Sequence, residues 1–384
     1  MSKKVIIRNI KKGLTEPRYA FCAFRSRFKS YLTYRFFNGR SAYPETISLF
    51  LTYGCNLRCK MCGQWGDFGA SRKLSSDILT SQLTFDELKS LIDDVAFFKP
   101  NITLFGGEPF LYKEFLKLIE YIKSVSLRCN AVTNGTLLEK YAEPLVDVGM
   151  DEIIISLDGT PEIHDMIRGV PGAFGKIVRG VKRIQDVKEE SRKRKPLINV
   201  AVVISELNYQ NLGEIVALCA DMKVSSVCFH HLIFFSKETY EKHNEEFQKA
   251  FFITSPSWGG FIREHPGIDT DSLISEIARV KNKRYDTKVY FYPDFTDEEI
   301  KRYYSGEQFV PQTYSQRCKS PWMEAYIFPD GSVRPCLSMD YIAGNIKSES
   351  FLKVWNNKLY RRYREVIKKK TFPVCAKCTE FYRF

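Results

Sequence analysis

The 384-residue chain carries a formal net charge of +13 and contains eleven cysteines. It lacks a run of about 18 apolar residues that would span a membrane, and its basic N-terminus is not followed by the apolar segment of a signal peptide. Short cysteine clusters in a chain of this length favour metal ligands in a reducing compartment over a secreted disulfide scaffold, so we expect a cytoplasmic protein.

Most of the positive charge lies in the first 40 residues. They contain eleven Lys and Arg but one acid, Glu16, which places +10 of the +13 there. Within residues 15–37, aromatic residues at spacings of three and four alternate with basic ones, which predicts a basic helix with an apolar stripe. This stripe either packs against the rest of the protein or contacts a phosphate-bearing substrate, a carrier or an anionic surface. No specific nucleic-acid interface is predicted.

From Thr46 to about Phe235, short apolar runs alternate with amphipathic stretches. This pattern predicts repeated β-α units and therefore a parallel sheet with right-handed crossovers. Six such units are too few for a closed eight-stranded barrel. The predicted strands are 46–52, 101–105, 127–132, 152–157, 198–204 and 226–232.

Three cysteines follow the first predicted strand with the spacing C-x3-C-x2-C: Cys55, Cys59 and Cys62. A [4Fe–4S] cluster has four irons, so three thiolates from one loop leave one iron open to another ligand. An open metal position is typical of a catalytic site. A zinc knuckle or a reactive cysteine cluster is the alternative, but zinc sites prefer paired C-x2-C units, and no fourth ligand lies nearby in the sequence.

This loop resembles that of the radical S-adenosylmethionine (radical SAM) superfamily, although the family usually has an aromatic residue where Met61 stands. The resemblance implies a partial (β/α)6 TIM barrel. It also implies that the open iron binds SAM and that SAM is cleaved to a 5′-deoxyadenosyl radical. A flavodoxin- or ferredoxin-type partner is the expected reductant.

Polar motifs after the later strands match the same family. Gly106-Gly107-Glu108-Pro109 resembles the GGEP motif that binds the SAM amino group, and Ser156 and Arg168 match positions that hold the SAM carboxylate. Since barrel chemistry sits at the carboxyl ends of the strands, we expect these motifs to converge. The expected SAM contacts are Met61, Gly106, Gly107, Glu108, Asn134, Ser156 and Arg168.

A second cysteine set occupies the C-terminal part of the chain. A predicted β-hairpin around Pro329-Asp330-Gly331 lies between its first two members, and a predicted helix around 351–370 precedes the last two. Four thiolates suffice for one fully ligated [4Fe–4S] cluster, with a zinc ribbon as the alternative. The set resembles the SPASM/Twitch module of one radical SAM branch, which implies an auxiliary [4Fe–4S] cluster. The expected ligands are Cys318, Cys336, Cys375 and Cys378.

Among the remaining cysteines, Cys228 lies in the last predicted strand. Period two puts Cys228 and His230 on one face of that strand. If that face lines the cavity, the Cys228 thiol is a candidate catalytic group that returns a hydrogen atom to a substrate radical. Lone cysteines more often pack as small buried apolar residues, which is the alternative.

The sequence thus predicts four regions: a basic arm (1–43), a radical SAM partial barrel (44–235), a bridging insertion (236–312) and a SPASM/Twitch-like module (313–384). The resemblance implies hydrogen abstraction from a carbon of a polar substrate, leading to epimerisation or dehydrogenation. That substrate is a carbohydrate, a small metabolite, a carrier-linked molecule or a peptide. A peptide maturase that forms thioether or C–C crosslinks is one alternative. A non-enzymatic iron–sulfur or zinc protein, which would not cleave SAM, is another.

Overall fold

The computed structural model describes residues 17–306 and 308–384. At its centre lies one ten-stranded sheet. In chain order the strands are β1 (Thr46–Phe50), β2 (Asn101–Phe105), β3 (Arg128–Thr133), β4 (Glu152–Ser156), β5 (Leu197–Val203), β6 (Ser226–His230), β7 (Lys288–Tyr292), β8 (Glu324–Ile327), β9 (Ser332–Arg334) and β10 (Gly344–Asn345).

Strands β1 to β7 lie side by side in chain order, and each is parallel to the next. The register pairs Thr46 with Asn101 at one end of the series and Ser226 with Lys288 at the other. Because the strands are parallel, their carboxyl ends meet at one edge, where the loops after β1 to β4 come together. The predicted α/β fold with a parallel sheet is confirmed, and β7 and β10 form the two edges of the sheet.

Two strands outside the six predicted ones pair in parallel with this series. β7 comes from the segment 236–312, which the sequence analysis treats as an insertion, and it pairs with β6. β8 comes from the C-terminal region and pairs with β1, so the second cysteine-containing region continues the same sheet. β7 is hard to recognise in the sequence because three aromatic residues follow one another without alternation, inside a charge-rich stretch. Of these three, Phe291 is the buried one.

Apart from the helix that precedes β1, the helices lie between and after the strands, and the longer ones bury apolar residues against the sheet. Thr84 caps the helix that starts at Phe85 through a full capping box, in which Thr84 and Glu87 each bond the other's backbone N–H. The helices are α1 (Pro17–Phe36), α2 (Ser76–Thr80), α3 (Phe85–Val95), α4 (Phe115–Ser124), α5 (Leu138–Asp147), α6 (Pro161–Arg168), α7 (Ala173–Glu190), α8 (Leu212–Asp221), α9 (Lys237–Phe251), α10 (Thr270–Asn282), α11 (Asp297–Tyr304), α12 (Phe351–Trp355) and α13 (Lys358–Lys369).

Burial alternates along the strands, which identifies the two faces of the sheet. In β6, Val227 and Phe229 are buried in the core that the strands share with the helices, whereas Ser226, Cys228 and His230 are half-buried on the opposite face. β4 and β5 show the same alternation. We call the half-buried face the lumen face, since it is the one that the helices do not cover.

Helix α1 forms where the sequence predicts a basic helix, but its aromatic stripe does not supply the packing. Phe21, Phe24, Phe28 and Tyr31 are exposed, and of the two predicted roles for the stripe, packing against the rest of the protein is wrong. Within residues 17–306 and 308–384, none of the helices combines the length and the apolar composition required to cross a bilayer.

Candidate functional site

The loop that follows β1 brings Cys55, Cys59 and Cys62 together, and each of their sulfur atoms accepts from at least one N–H donor. Burial raises the pKa of the Cys55 thiol to about 11 and also raises the pKa of Cys59. The N–H···S contacts are Leu57 N to Cys55 (3.5 Å), Asn134 Nδ2 to Cys55 (4.0 Å), Arg168 Nη1 to Cys59 (3.6 Å) and Trp65 N to Cys62 (3.3 Å). Such donors stabilise thiolates and tune the irons that thiolates bind, so this donor set suits an iron–sulfur cluster.

Backbone bonds from two neighbouring elements hold the loop in place. Glu108 N donates to Gly54 O at 2.8 Å, and Lys60 N donates to Ile167 O at 3.0 Å in α6. The first contact is close enough that a Cβ atom at Gly107 would lie 2.3 Å from Gly54 O. The motif after β2 therefore presses directly against the residue before Cys55, which explains its need for glycine.

Glu108 is fully buried and accepts three hydrogen bonds. Its carboxylate receives the hydroxyl of Thr133 at 2.7 Å, the backbone N–H of Asn134 at 2.8 Å and that of Phe110 at 3.2 Å. Burial raises the pKa of Glu108 to about 7 even though these donors lower it. The carboxylate thus connects the ends of β2 and β3 and has the chemistry to accept from an ammonium group.

Asn134 belongs to a polar network that the sequence analysis did not anticipate. Its Nδ2 donates to Asn56 Oδ1 at 2.8 Å, and its Oδ1 accepts from the hydroxyl of Thr136 at 2.6 Å. Asn56 Nδ2 closes the ring by donating to the Thr136 hydroxyl at 2.9 Å. The available signal was the position of Asn56 directly after Cys55.

Arg168 ends α6 and faces both the cysteine loop and the end of β4. Its guanidinium lies 2.5 Å from the carboxylate of Asp158, which is fully buried. Burial by itself would lower the pKa of Arg168, but Asp158 and Cys59 raise it, so the guanidinium stays charged. Ser156 is half-buried at the end of β4, two residues before Asp158. Ser156 and Arg168 are among the predicted SAM contacts, and Asp158 is not.

Met61 lies apart from these polar groups, in the wall of a cavity of about 340 Å³. The cavity opens between the cysteine loop and the 3₁₀ helix Pro256–Phe261. Leu232, two residues after β6, and Phe261 also line it. The wall at Met61 mixes apolar side chains with charged ones, among them Lys60, Asp67, Arg263 and Glu264, and it does not include Glu108 or Arg168.

On the lumen face, Cys228 and His230 lie opposite Tyr290 and Tyr292 of β7 in the strand register. The rings of His230 and Tyr292 are 5.7 Å apart, and burial lowers the pKa of His230 to about 4. Tyr292 Oη donates to the backbone oxygen of Thr379 at 3.1 Å. The segment directly after Cys378 therefore reaches the same face as Cys228, a connection that no sequence motif indicates.

The second cysteine set is gathered in one buried place. Burial raises the pKa of all four thiols, and in three of them Cys336 raises it further because its charge is close. Cys336 itself accepts from the Tyr363 hydroxyl and from the backbone N–H groups of Ser338 and Met339. The members of the set are Cys318, Cys336, Cys375 and Cys378.

Both cysteine sets have the chemistry of iron–sulfur ligands. Thiolates that accept from N–H donors are what such a cluster takes, and Cys55 and Cys336 both accept from backbone N–H groups. The residues present therefore fit iron–sulfur clusters.

Family models match both regions. Residues 49–219 match the radical SAM superfamily, and residues 318–379 match the SPASM iron–sulfur cluster-binding domain. The protein is a radical SAM enzyme with a C-terminal SPASM domain, as predicted. These two domains imply a SAM-binding [4Fe–4S] cluster, SAM itself and auxiliary iron–sulfur ligation, which confirms the predicted cofactors.

Individual relatives agree with this class. The chain is 27% identical to an AdoMet-dependent heme synthase of Methanosarcina barkeri over 331 residues, which are 84% of this chain and 85% of that protein. Its fold is similar to that of Streptococcus suis SuiB bound to the precursor peptide SuiA, with a TM-score of 0.61, 14% identity and coverage of 89% and 75% of the two chains. It is also similar to anSMEcpe with bound AdoMet, with a TM-score of 0.53, 17% identity and 88% coverage of both chains.

Proposed function

We propose that this radical SAM enzyme abstracts a hydrogen atom from a carbon of its substrate and completes a two-electron oxidation with the auxiliary cluster as electron acceptor. The observation that supports this outcome is the position of Tyr292. Its hydroxyl bonds the residue after Cys378, and the charges of both Cys378 and Cys228 act on its phenol. A substrate on the lumen face beside Cys228 would thus be separated from the second cysteine set by about one side chain.

We assign the following roles to the site residues. Cys55, Cys59 and Cys62 are the proposed ligands of the SAM-binding cluster, and the four C-terminal cysteines are those of the auxiliary cluster. When bound, the first cluster and SAM supply the 5′-deoxyadenosyl radical, and the second supplies an electron acceptor. Glu108 would accept from the SAM ammonium, and Arg168, charged and pointed at the loop, would attract the SAM carboxylate.

The oxidation balances with a one-electron reductant of the flavodoxin or ferredoxin type, whose electron cleaves a C–S bond of SAM and releases methionine. The substrate carbon loses one hydrogen atom, which forms a C–H bond in 5′-deoxyadenosine. The remaining substrate radical would lose one proton to water and one electron, for which a cluster held by Cys318, Cys336, Cys375 and Cys378 would be the acceptor, so the product would be two hydrogens poorer. Burial that keeps His230 neutral, with its pKa near 4, avoids a fixed positive charge next to the site where a proton must leave.

A tetrapyrrole is the first substrate to test. The similarity to an AdoMet-dependent heme synthase extends over 84% of this chain, which supports a heme-type substrate over an unrelated one.

Epimerisation with Cys228 as hydrogen donor is the second candidate. The thiol lies on the lumen face next to His230, as such a donor must. In this reaction Cys228 would return a hydrogen atom to the substrate radical, so the product would have the mass of the substrate. The two outcomes therefore differ in product mass and in the source of hydrogen.

The test is turnover in D₂O with dithionite and SAM under anaerobic conditions, using a tetrapyrrole and a peptide panel. Dehydrogenation predicts 5′-deoxyadenosine and a product lighter by two hydrogens, with no deuterium at the reacting carbon. It also predicts that Cys228→Ala keeps product formation, whereas Cys378→Ala keeps SAM cleavage but loses the product. A product that keeps all its hydrogen positions but carries one deuterium, and is therefore one mass unit heavier than the substrate, would replace our proposal by epimerisation if it disappears in Cys228→Ala.

A further inference from the structure

Helix α1 is attached to the protein through its polar side. Arg27 forms a bidentate ion pair with the buried Glu45, at 2.5 and 2.8 Å. The hydroxyl of Ser26 donates to Tyr43 O at 3.2 Å, and Thr33 Oγ1 accepts from Ala42 N at 3.3 Å. Ser30 is completely buried. The side of α1 that faces the protein is therefore largely polar, although Tyr34 also packs edge-on against Trp322 at 4.9 Å.

The opposite side of α1 presents large aromatic residues to solvent. Phe21, Phe24, Phe28 and Tyr31 are 66%, 67%, 53% and 49% exposed. Their spacing of three, four and three residues places them on one stripe along a helix about 30 Å long. Phe24 and Phe28 stack on each other at 6.2 Å. We call these four residues the aromatic face. Contiguous exposed apolar surface of this kind marks an interaction site.

Positive charge surrounds the aromatic face. Residues 17–44 contain six Lys and Arg and no acid. Arg25 and Lys29 are exposed beside the stripe, and Arg35 is exposed near its end. The C-terminal region adds to this charge, since Lys319 Nζ lies 5.9 Å from the Tyr31 ring. A partner must therefore offer both an apolar interior and negative charge.

We propose that α1 is a peripheral membrane-docking helix that inserts its aromatic face into the interface of an anionic bilayer. Aromatic residues on one side and flanking Lys and Arg are what an in-plane interfacial helix requires. Acidic lipid headgroups complement Arg25, Lys29 and Arg35, and a flat bilayer suits a projecting helix that forms no groove. A second copy packed on the same face fits less well, because two-fold symmetry would bring the basic residues of both copies together.

The test is co-sedimentation of the full chain, with its clusters loaded, with large vesicles of neutral phosphatidylcholine or of a 7:3 mixture with phosphatidylglycerol. We expect binding to the anionic vesicles and at least tenfold weaker binding to the neutral ones. Phe24→Ser with Phe28→Ser should weaken binding about tenfold. Arg25→Gln with Lys29→Gln should weaken binding to the anionic vesicles alone. High salt should also weaken binding to the anionic vesicles, as the Arg25→Gln and Lys29→Gln changes do, because it screens surface charges.

A matched control distinguishes binding through the aromatic face from nonspecific adsorption of exposed apolar side chains to lipid. Phe252, at the end of α9, is 78% exposed, and Phe252→Ser should leave vesicle binding unchanged. Iron content and SAM cleavage should be equal in all variants, since α1 contributes no residue to the candidate site. Equal vesicle binding of the wild type and the Phe24→Ser/Phe28→Ser variant would overturn the proposal. The proposal would also be overturned if the wild type does not bind vesicles and instead dimerises through this face or binds an acidic peptide tightly.

Discussion

The guanidinium of Arg168 lies 2.5 Å from the carboxylate of Asp158, and it also donates to the sulfur of Cys59 at 3.6 Å. Asp158 is fully buried, and Asp158 N in turn donates to His164 Nδ1 at 3.1 Å. One side chain from α6 thus connects the end of β4 to the cysteine loop. The positive charge of Arg168 neutralises the buried carboxylate of Asp158. It also faces the thiol of Cys59, which we assign to the SAM-binding cluster.

Arg168→Met should destabilise the protein strongly. Removing one partner leaves the buried Asp158 without its counter-charge, which costs about 3–5 kcal/mol in comparable pairs. Urea unfolding of the anaerobically reconstituted protein measures this loss, and iron content should fall with it. Adding Asp158→Asn to the same chain should recover part of the loss, because the uncompensated charge is then gone.

The matched control for this change is Arg183→Met. Arg183 pairs with Glu143 on the surface, where both side chains are well exposed to solvent. Exposed pairs contribute about 0–1 kcal/mol. A loss in Arg168→Met no greater than that in Arg183→Met would mean that the Arg168–Asp158 pair does not stabilise the fold.

Several parts of this site could be predicted from the sequence because their signals are local. The spacing of Cys55, Cys59 and Cys62, and the Gly-Gly-Glu-Pro run after β2, each occupy a few consecutive residues. Alternation of apolar runs and amphipathic stretches predicted the parallel sheet for the same reason. Long-range partners could not be found in this way. The contact of Tyr292 with Thr379 joins residues 87 positions apart, and no pattern within either segment encodes it.

The orientation of α1 on the protein shows a second limit of prediction from the sequence. Spacing predicted the helix and its aromatic stripe correctly, but it does not determine which side of a helix is buried. The side that faces inward holds Arg27, which pairs with the buried carboxylate of Glu45, and no spacing pattern within α1 indicates that partner.

Gly107→Ala should disrupt the SAM-binding cluster site selectively. The added Cβ would lie 2.3 Å from Gly54 O, and backbone on both sides cannot yield without moving the loop that carries Cys55. We expect a loss of about half of the reconstituted iron and of SAM cleavage, while the auxiliary cluster is kept. Gly175→Ala in α7 is the control, since its Cβ would meet Arg179 Nη1 at an ordinary 3.6 Å. Equal iron content in the two variants would argue against this tight contact.

SAM affinity should rise with pH through the titration of Glu108. Burial raises the pKa of Glu108 to about 7, and only its ionised form accepts from the SAM ammonium. The ionised fraction falls from about 0.9 at pH 8 to about 0.1 at pH 6, so Kd should increase roughly ninefold over this range. His164 and His230, whose pKa values burial lowers to about 4, stay neutral throughout.

Equilibrium dialysis of radiolabelled SAM against the reconstituted protein measures this dependence. Glu108→Gln keeps the size of the side chain but removes its charge, so we expect weaker SAM binding that no longer varies between pH 6 and pH 8. If the variant keeps the pH dependence of the wild type, another group controls SAM binding.

His243 should make the fold sensitive to acid. It is completely buried in α9 between Phe247 and Phe372, and neither ring nitrogen has a hydrogen-bond partner among residues 17–306 and 308–384. Burial lowers the pKa of His243 to about 4, whereas an unfolded histidine titrates near 6.5. The unfolded chain therefore binds a proton that the folded protein excludes, and stability is lost as the pH falls from about 6.5 towards 4. Between pH 7.5 and 5.5 this residue should account for roughly 1.3 kcal/mol.

His243→Leu should remove that contribution, since leucine fills a similar volume without a titratable group. At pH 7.5 the variant should be as stable as the wild type or more so, because two unpaired buried nitrogens are gone. His164 and His231 are also buried, and the pKa of the half-buried His230 is lowered too, so acid should still destabilise the variant, and the difference between the two chains isolates His243. If His243→Leu and the wild type lose equal stability between pH 7.5 and 5.5, then His243 is protonated in the folded protein.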